Sequence, residues 1–218
     1  MNKILKHEND SSLAKIAEDI MKNPNNLPRP QKDLPVSLMQ ALEKRRSIRK
    51  WSDTSVSEQE LSNLLWAACG ITKKKQGRTK SKRTAPSACN SQAIRVYVLH
   101  EKGVFLYNEE THGLIEIAND DVRQYIGTQK MMKSAPLGLV FVADVSRMTS
   151  PFLRREEARQ FSAWVDTGYI SQNVYLYCAA ANMGTVVLSL VDREKLHGLM
   201  HLQAHEKIVL TQVVGHLV

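Results

Sequence analysis

Apolar positions recur along this chain with two periods, and each period predicts a different kind of element. Spacings of three and four residues predict amphipathic helices, whereas alternation or a short continuous apolar run predicts a strand. The helical spacing covers residues 11–21, 36–44, 57–70, 120–128, 154–182 and 192–200. The strand pattern covers residues 94–100, 103–108, 114–117, 137–143, 185–190 and 207–215.

Capping residues mark where several of these helices begin and end. Ser57 followed by Glu60 predicts a capping box, and Gly70 predicts the end of that helix. Gly168 interrupts the longest helical pattern, and Asp192 caps the last one. Helices and strands alternate without a regular βαβ order, and three consecutive strands read as a meander, so the pattern favours an α+β fold.

Composition limits the number of domains and the class of protein. The 218 residues are 43% hydrophobic, which suffices for one sizeable core. Residues 23–35 are rich in proline and turn formers. We therefore predict an N-terminal extension over residues 1–35, with a short helix and an extended segment, and one domain over residues 36–218.

No apolar run approaches the roughly 18 residues that span a bilayer, and the N-terminus lacks the apolar stretch of a signal peptide. Cys69, Cys89 and Cys178 are odd in number and widely spaced, as is typical of free thiols in a reducing compartment. We expect a cytoplasmic protein that does not associate with membranes.

The positive charge of the chain is mostly local. The net charge is +8, and residues 73–83, here called the basic arm, carry seven basic residues and no acid, so the remainder is only 8 − 7 = +1. The basic arm shows no periodicity and reads as a mobile loop. A basic nucleic-acid-binding protein that uses this arm is the alternative function, although aromatic residues for stacking are not interleaved with it.

A second basic cluster lies just after the helix predicted over residues 36–44. Arg45, Arg46 and Arg49 bracket Ser47, and residues 45–49 are here called the arginine segment. Guanidinium groups supply paired donors and serine adds a short neutral donor, so this segment could surround a dianionic phosphate. A solvated basic helix end is the other interpretation, because cations are favourable there as well.

Small and polar residues fill the stretch before the first predicted strand of the meander. This small-residue loop, residues 86–92, contains Pro86, Ser87, Asn90, Ser91 and Gln92. It could be an ordinary turn and strand entry. It could equally be a loop whose backbone approaches something flat and polar.

The order of these segments resembles the nitroreductase-like family of FMN-dependent oxidoreductases. The resemblance covers residues 36–218 and rests on RRSIRKW, on LLWAACGI in a capped helix, on PSACNSQ before a strand, and on ANMG leading into TVVLSLVD. It implies an α+β fold with a central mixed, mostly antiparallel sheet flanked by helices. It also implies a homodimer with flavin sites at the interface.

The resemblance assigns roles to three segments. It implies that Arg45, Arg46, Ser47 and Arg49 bind the FMN phosphate. It implies that the small-residue loop lies against the flavin ring from the partner subunit, with Asn90 at the pyrimidine edge. The amide of Asn90 can donate and accept, as the alternating N3–H and carbonyl groups of that edge require. The cofactor-binding residues of this loop would be Pro86, Ser87, Asn90 and Gln92.

The third segment, Val187, Leu188, Ser189 and Leu190, is expected to aim backbone N–H at flavin N5. Many relatives have an acidic residue and a glycine where Ser189 and Leu190 stand, which is a departure from the family pattern. Many relatives also continue past the last strand with a segment that embraces the partner, a role that the extension could take here. Lys82 or Arg83 is a candidate donor to flavin N1 and O2.

The implied activity is hydride transfer from NADH or NADPH through flavin N5 to an organic acceptor, such as a nitroaromatic or a quinone, by a ping-pong mechanism. No side chain is predicted to be catalytic, because the flavin carries the chemistry. Cys89 as a nucleophile lacks a local histidine, so we expect a buried or half-buried thiol instead. His197, His201 and His205 have a zinc-like spacing, but Gly198 stands where a catalytic glutamate would be, and no metal is expected.

Overall fold

A computed structural model describes residues 26–77 and 79–218 of the chain. The helix predicted over residues 11–21 lies outside these described residues. The α-helices described are α1 Leu38–Lys44, α2 Glu58–Cys69, α3 Glu156–Ala180 and α4 Arg193–Leu199. The strands are β1 Ile71–Lys73, β2 Lys82–Arg83, β3 Ile94–His100, β4 Gly103–Asn108, β5 Gly113–Ala118, β6 Leu137–Asp144, β7 Met183–Leu188 and β8 Glu206–His216.

The central sheet has six strands in the order β5-β4-β3-β6-β8-β7. Its neighbouring strands pair antiparallel. The meander predicted for the first three strands is confirmed as β3, β4 and β5. The predicted α+β fold, a mostly antiparallel sheet flanked by helices, is therefore confirmed.

Strand β6 occupies the middle of the sheet, and every residue of it is buried. Leu139 and Phe141 point into a core formed with α2 and α3, whereas Val140 and Val142 point into a second core formed with α4. Because both faces of the sheet are covered, β6 reads as a continuous apolar run rather than an alternating one.

The helix ends follow the predicted capping residues. Ser57 accepts from the backbone of Glu60, whose side chain in turn accepts from the backbone N–H of Ser57, and α2 ends at Gly70 as predicted. Asp192 caps α4 through the backbone N–H of Lys195. Gly168 does not interrupt α3, because it lies on the exposed side of the helix, where a glycine costs only about 1 kcal/mol.

Two further local predictions were wrong. The helix predicted over residues 120–128 is only the 3-10 turn Arg123–Tyr125, since the Asp121 carboxylate accepts from the Arg123 backbone N–H and competes with the helix. The strand predicted over residues 185–190 is shifted, and it ends at Leu188. The basic arm connects two short paired strands, because β1 and β2 pair at its ends, and Gln76 bridges to Thr79 within it.

The described part of the N-terminal extension runs extended over the domain, as the proline-rich sequence predicts. Asn26 bridges to Gly113, and the backbone N–H of Leu27 donates to the carbonyl of His112 at 3.2 Å. Further along, the backbone N–H of Gln31 donates to Oδ1 of Asn63 in α2 at 2.7 Å. The division of the chain at residue 35 stays a prediction.

Candidate functional site

The arginine segment leaves α1 and runs along the outer edge of β7, which is an edge strand of the sheet. The backbone N–H of Ile48 donates to the carbonyl of Thr185 at 2.9 Å. The indole N–H of Trp51 donates to the carbonyl of Gly184 at 3.3 Å. These bonds fix the segment beside the strand that leads into residues 187–190.

The polar side chains of the arginine segment remain accessible. Arg46, Ser47 and Arg49 are exposed, and Arg45 is half-buried with its guanidinium 5.3 Å from the centre of the Tyr175 ring. Arg46 turns back and donates to the carbonyls of Glu43 and Arg45 at 2.6 and 2.8 Å. A guanidinium has five N–H donors, so each arginine keeps donors for an anion.

Tyr175 of α3 connects the arginine segment to β7. Its Oη lies 3.0 Å from Oγ of Ser47 and accepts from the backbone N–H of Val187 at 3.0 Å. One buried phenol therefore holds together two of the three segments that the resemblance implicated. No local sequence pattern marks Tyr175 for this role.

We expect Tyr175→Phe to lower the free energy of unfolding by about 1–2 kcal/mol, because it leaves the Val187 N–H without its partner. Urea unfolding of the purified protein measures this change. Tyr169→Phe is the matched control, since Tyr169 is on the same helix and its hydroxyl makes no hydrogen bond among the described residues, so its loss should cost less than about 0.5 kcal/mol. Equal effects of the two substitutions would contradict the role of Tyr175.

Residues 187–190 do not all face the same surroundings. Val187 is half-buried in β7, and Leu188 is buried in the core beside α4. Ser189 and Leu190 are exposed beyond the end of the strand, and the carbonyl of Leu190 accepts from the Thr128 N–H at 3.0 Å. The side chain of Leu188 therefore serves the core, and it is the exposed pair beyond the strand that can approach a ligand.

The small-residue loop contains three non-glycine residues in the left-handed region. The φ angles are 52° at Cys89, 49° at Asn90 and 53° at Gln92. Such conformations cost of order 1 kcal/mol or more each and persist where surrounding contacts impose them, often at functional sites. Cys89 is exposed, which differs from the buried or half-buried thiol that we expected.

Side chains of the loop itself impose part of this conformation. The Gln92 amide donates to the carbonyl of Ser81 at 2.6 Å and to Oδ1 of Asn90 at 3.1 Å, while its backbone N–H donates to Oγ of Ser87 at 3.1 Å. Asn90 Nδ2 also donates to the Ser81 carbonyl, at 3.2 Å. Gln92 is buried and holds the loop, whereas half-buried Asn90 keeps one N–H and one lone pair for a ligand.

The role of donor to a bound ring stays a prediction for Arg83, whose buried Nε has no hydrogen-bond partner among the described residues. Its Nη2 donates to the Glu109 carboxylate at 2.5 Å and its Nη1 donates to the carbonyl of Ile94 at 3.1 Å. Both side chains of this ion pair are buried. Lys82 is exposed and stays a prediction for that role.

Within one chain, the arginine segment and the small-residue loop contact opposite sides of α3. Tyr175 holds the first, and Asp166 contacts the second by accepting from the Ala88 N–H at 3.1 Å. Nine residues separate the two, which is two and a half helical turns, or about 13 Å along the axis and half a rotation around it. A ligand that touches both segments of the same chain would have to pass around α3.

The outer side of α3, between these two flanks, is apolar and exposed. Phe161, Trp164 and Tyr169 are 65%, 57% and 47% exposed. Leu38, Met39 and Leu42 of the neighbouring α1 are also exposed. Contiguous apolar surface of this kind is typical of a protein–protein interface.

Two cavities of about 430 and 510 Å³ lie away from these segments. The first is lined by residues such as Ser52, His100 and Arg123, and the second by residues such as Arg29, Trp66 and His112. Neither is lined by a residue of the arginine segment or of the small-residue loop.

Neither a metal site nor a membrane span is found in the part of the chain that the structure describes. No group of three or more His, Cys, Asp or Glu residues there is placed to hold a metal ion. His201 has a φ angle of 51° beyond the end of α4, so the helical spacing of the three histidines is not kept. No described helix is long and apolar enough to cross a membrane.

Comparison with known proteins defines the class to which this fold and site belong. A sequence model of the nitroreductase family matches residues 42–216. The chain therefore belongs to the nitroreductase family, a family of oxidoreductases.

Individual relatives agree with this assignment. A Methanocaldococcus jannaschii protein named as a nitroreductase is 25% identical over 185 residues, which cover 80% of this chain and 89% of that protein. A crystal structure from Ralstonia eutropha, also named as a nitroreductase, is 34% identical with a TM-score of 0.81 and 89% coverage of both chains. A Desulfovibrio desulfuricans structure in complex with FMN shares the fold at 20% identity, with a TM-score of 0.58 and coverage of 85% and 87%.

Proposed function

We propose that this chain is an FMN-dependent oxidoreductase that takes electrons from NADH or NADPH and reduces an organic acceptor. The proposal rests most directly on Tyr175, which brings the arginine segment and residues 187–190 together in one place. If the arginine segment bound the phosphate group of a ligand, the rest of that ligand would lie beside residues 187–190. FMN supplies hydride transfer through its N5, from the dinucleotide to a nitroaromatic, a quinone or a similar acceptor, in a ping-pong cycle.

The donor set of the arginine segment fits a dianionic phosphate ester. Arg45, Arg46 and Arg49 offer charged N–H groups and Ser47 offers a hydroxyl, all from one segment fixed against β7. Charge-assisted hydrogen bonds of this kind contribute about 1.5–3 kcal/mol each. In the small-residue loop, Ser91 Oγ is buried with no hydrogen-bond partner among the described residues, and Asn90 keeps spare donor and acceptor capacity.

We also propose that the active form is a homodimer with the flavin sites at its interface. The two segments face away from each other across α3, and the apolar outer side of α3 lies between them. A second copy on that side would bring its own small-residue loop toward the arginine segment of the first, and a two-fold axis would create two equal sites. The proposal explains why three exposed aromatic or apolar residues of α3 lie between the site segments.

An absorbance scan of the purified full-length protein tests the cofactor assignment. We expect flavin bands, release of FMN on denaturation, and anaerobic bleaching of the bands by NADH or NADPH. Reconstitution with added FMN covers the case in which the cofactor is lost during purification. Failure to retain or take up FMN would contradict the proposal, and oligonucleotide binding that weakens steeply with salt would instead support the nucleic-acid alternative through the basic arm.

A further inference from the structure

Asp166 of α3 is a buried carboxylate that faces the small-residue loop. Only 3% of the residue is exposed, and both of its carboxylate oxygens lie 3.1 Å from the backbone nitrogen of Ala88. No lysine, arginine or histidine among the described residues forms an ion pair with it. Burial raises the pKa of this carboxyl, and the hydrogen bond from Ala88 only partly offsets the effect.

A buried carboxylate without a cation is an expensive way to satisfy one backbone N–H. Removing a carboxylate from water costs several kcal/mol, and the only hydrogen bond that the Asp166 carboxylate makes among the described residues is the one it accepts from Ala88, outside its own helix. The position therefore calls for a reason beyond the stability of α3.

The Asp166 carboxylate contacts the small-residue loop next to its left-handed residues, which suggests a role in holding the loop. Ala88 directly precedes Cys89, the first of the three left-handed residues of the loop. On the other side of the loop, the Ser81 carbonyl accepts from Asn90 and Gln92. Asp166 and Ser81 thus hold the loop from two sides, and the strained residues lie between the two anchors.

We propose that Asp166 is a positioning residue for the cofactor, whose acceptor oxygens hold the Ala88 N–H and keep the small-residue loop in its ring-binding conformation. This inference rests on the proposed function, because it takes FMN as the ligand of the loop. It assigns to α3 a second part in the site, beside that of Tyr175, on the opposite side of the helix.

The test compares three substitutions on α3. Asp166→Leu removes the acceptor and keeps the branching and the number of heavy atoms of the side chain, and Asp166→Asn keeps an acceptor oxygen without the charge. Thr167→Val is the matched control, since Thr167 is the next residue, is fully buried, and bonds only within the helix to the Ala163 carbonyl. FMN is titrated into each apoprotein, and flavin fluorescence gives the dissociation constant.

We expect Asp166→Leu to weaken FMN binding at least tenfold, while Asp166→Asn stays within about threefold of the unchanged protein and Thr167→Val has no effect. A parallel measurement needs no cofactor. Amide hydrogen exchange of the apoprotein should speed up at least tenfold over residues 88–92 in the Leu variant and remain near the original rate in the Asn variant.

Wild-type FMN affinity in the Leu variant would overturn the inference, and so would an Asn variant as weak as the Leu variant. If the unchanged protein binds no FMN, the proposed function fails, and the exchange rates alone decide whether Asp166 holds the loop. Unchanged exchange over residues 88–92 in the Leu variant would then refute that role.

Discussion

Mixed dimers of two variants that cannot bind FMN alone are expected to recover half of the flavin sites. The first variant, Arg45→Ala with Arg49→Ala, loses two charge-assisted partners of the phosphate, worth about 3–6 kcal/mol together. The second, Asn90→Leu, loses the amide and places a branched side chain at a φ angle of 49°, where asparagine is far better tolerated.

We expect this recovery because the arginine segment and the small-residue loop of one chain contact opposite sides of α3. Because Tyr175 and Asp166 lie half a rotation apart, one cofactor cannot contact both segments of the same chain without a detour around the helix. If each site combines the arginine segment of one copy with the loop of the other, a mixed dimer has one site with both defects and one site with none. The intact site should bind FMN with unchanged affinity.

Two different affinity tags allow the mixed dimer to be isolated, and the released FMN is counted per dimer. We expect about one FMN per mixed dimer and about two per dimer of the unchanged protein. The controls are dimers in which both copies carry the same substitutions and each copy has one of the two tags. These dimers should contain no FMN. An empty mixed dimer would mean that each site is built within one chain.

The exposed side of α3 bears on the same question. The proposed dimer would cover the outer side of α3, where the aromatic residues Phe161 and Trp164 are exposed in the single chain. The recovery of FMN in mixed dimers would show that a partner supplies the loop, a conclusion that the size of the particle alone does not give.

How much of this molecule could be predicted depends on the range of the interactions that fix each part. The capping box at Ser57, the strand bounds of β3 and the buried run of β6 follow from neighbours in sequence, and those predictions are confirmed. The turn at residues 120–128 was missed because one side chain, Asp121, bonds to the backbone two residues on and overrides a weak apolar period.

The site was predictable in its segments but not in its supports. Spacing and residue type singled out the arginine segment and the small-residue loop. The hydroxyl of Tyr175 and the carboxylate of Asp166 meet those segments from 128 and 78 residues away in the chain. A helical period predicts which residues face inward but not which distant backbone N–H they will bond, so these two residues carry no local signal.

The same limit explains why the sequence shows Arg83 only as one more cation of the basic arm. Its partner, Glu109, lies 26 residues further on in the turn between β4 and β5, and the adjacent Glu110 accepts from Oγ of Ser81. Two consecutive acidic residues thus clamp β2 against the meander. This clamp holds Ser81, whose carbonyl anchors the small-residue loop.

Arg83→Met is therefore expected to destabilise the fold by about 3–5 kcal/mol, the second large effect that the structure predicts. The substitution leaves Glu109, only 7% exposed, without its cation in a buried position, and an uncompensated buried charge has a cost of this size. Equilibrium unfolding in urea at neutral pH measures the change, with the slope of the transition compared to verify that unfolding remains two-state.

The double substitution Arg83→Met with Glu109→Leu separates the loss of the pair from the cost of the stranded charge. Replacing both partners by apolar side chains removes the unpaired carboxylate, so the double variant should regain most of the lost stability. Arg123→Met is the matched control, because the Arg123–Asp121 pair is partly exposed and such pairs contribute only about 0–1 kcal/mol. A double variant as unstable as the single one would show that packing around Arg83, and not the stranded Glu109 carboxylate, accounts for the loss.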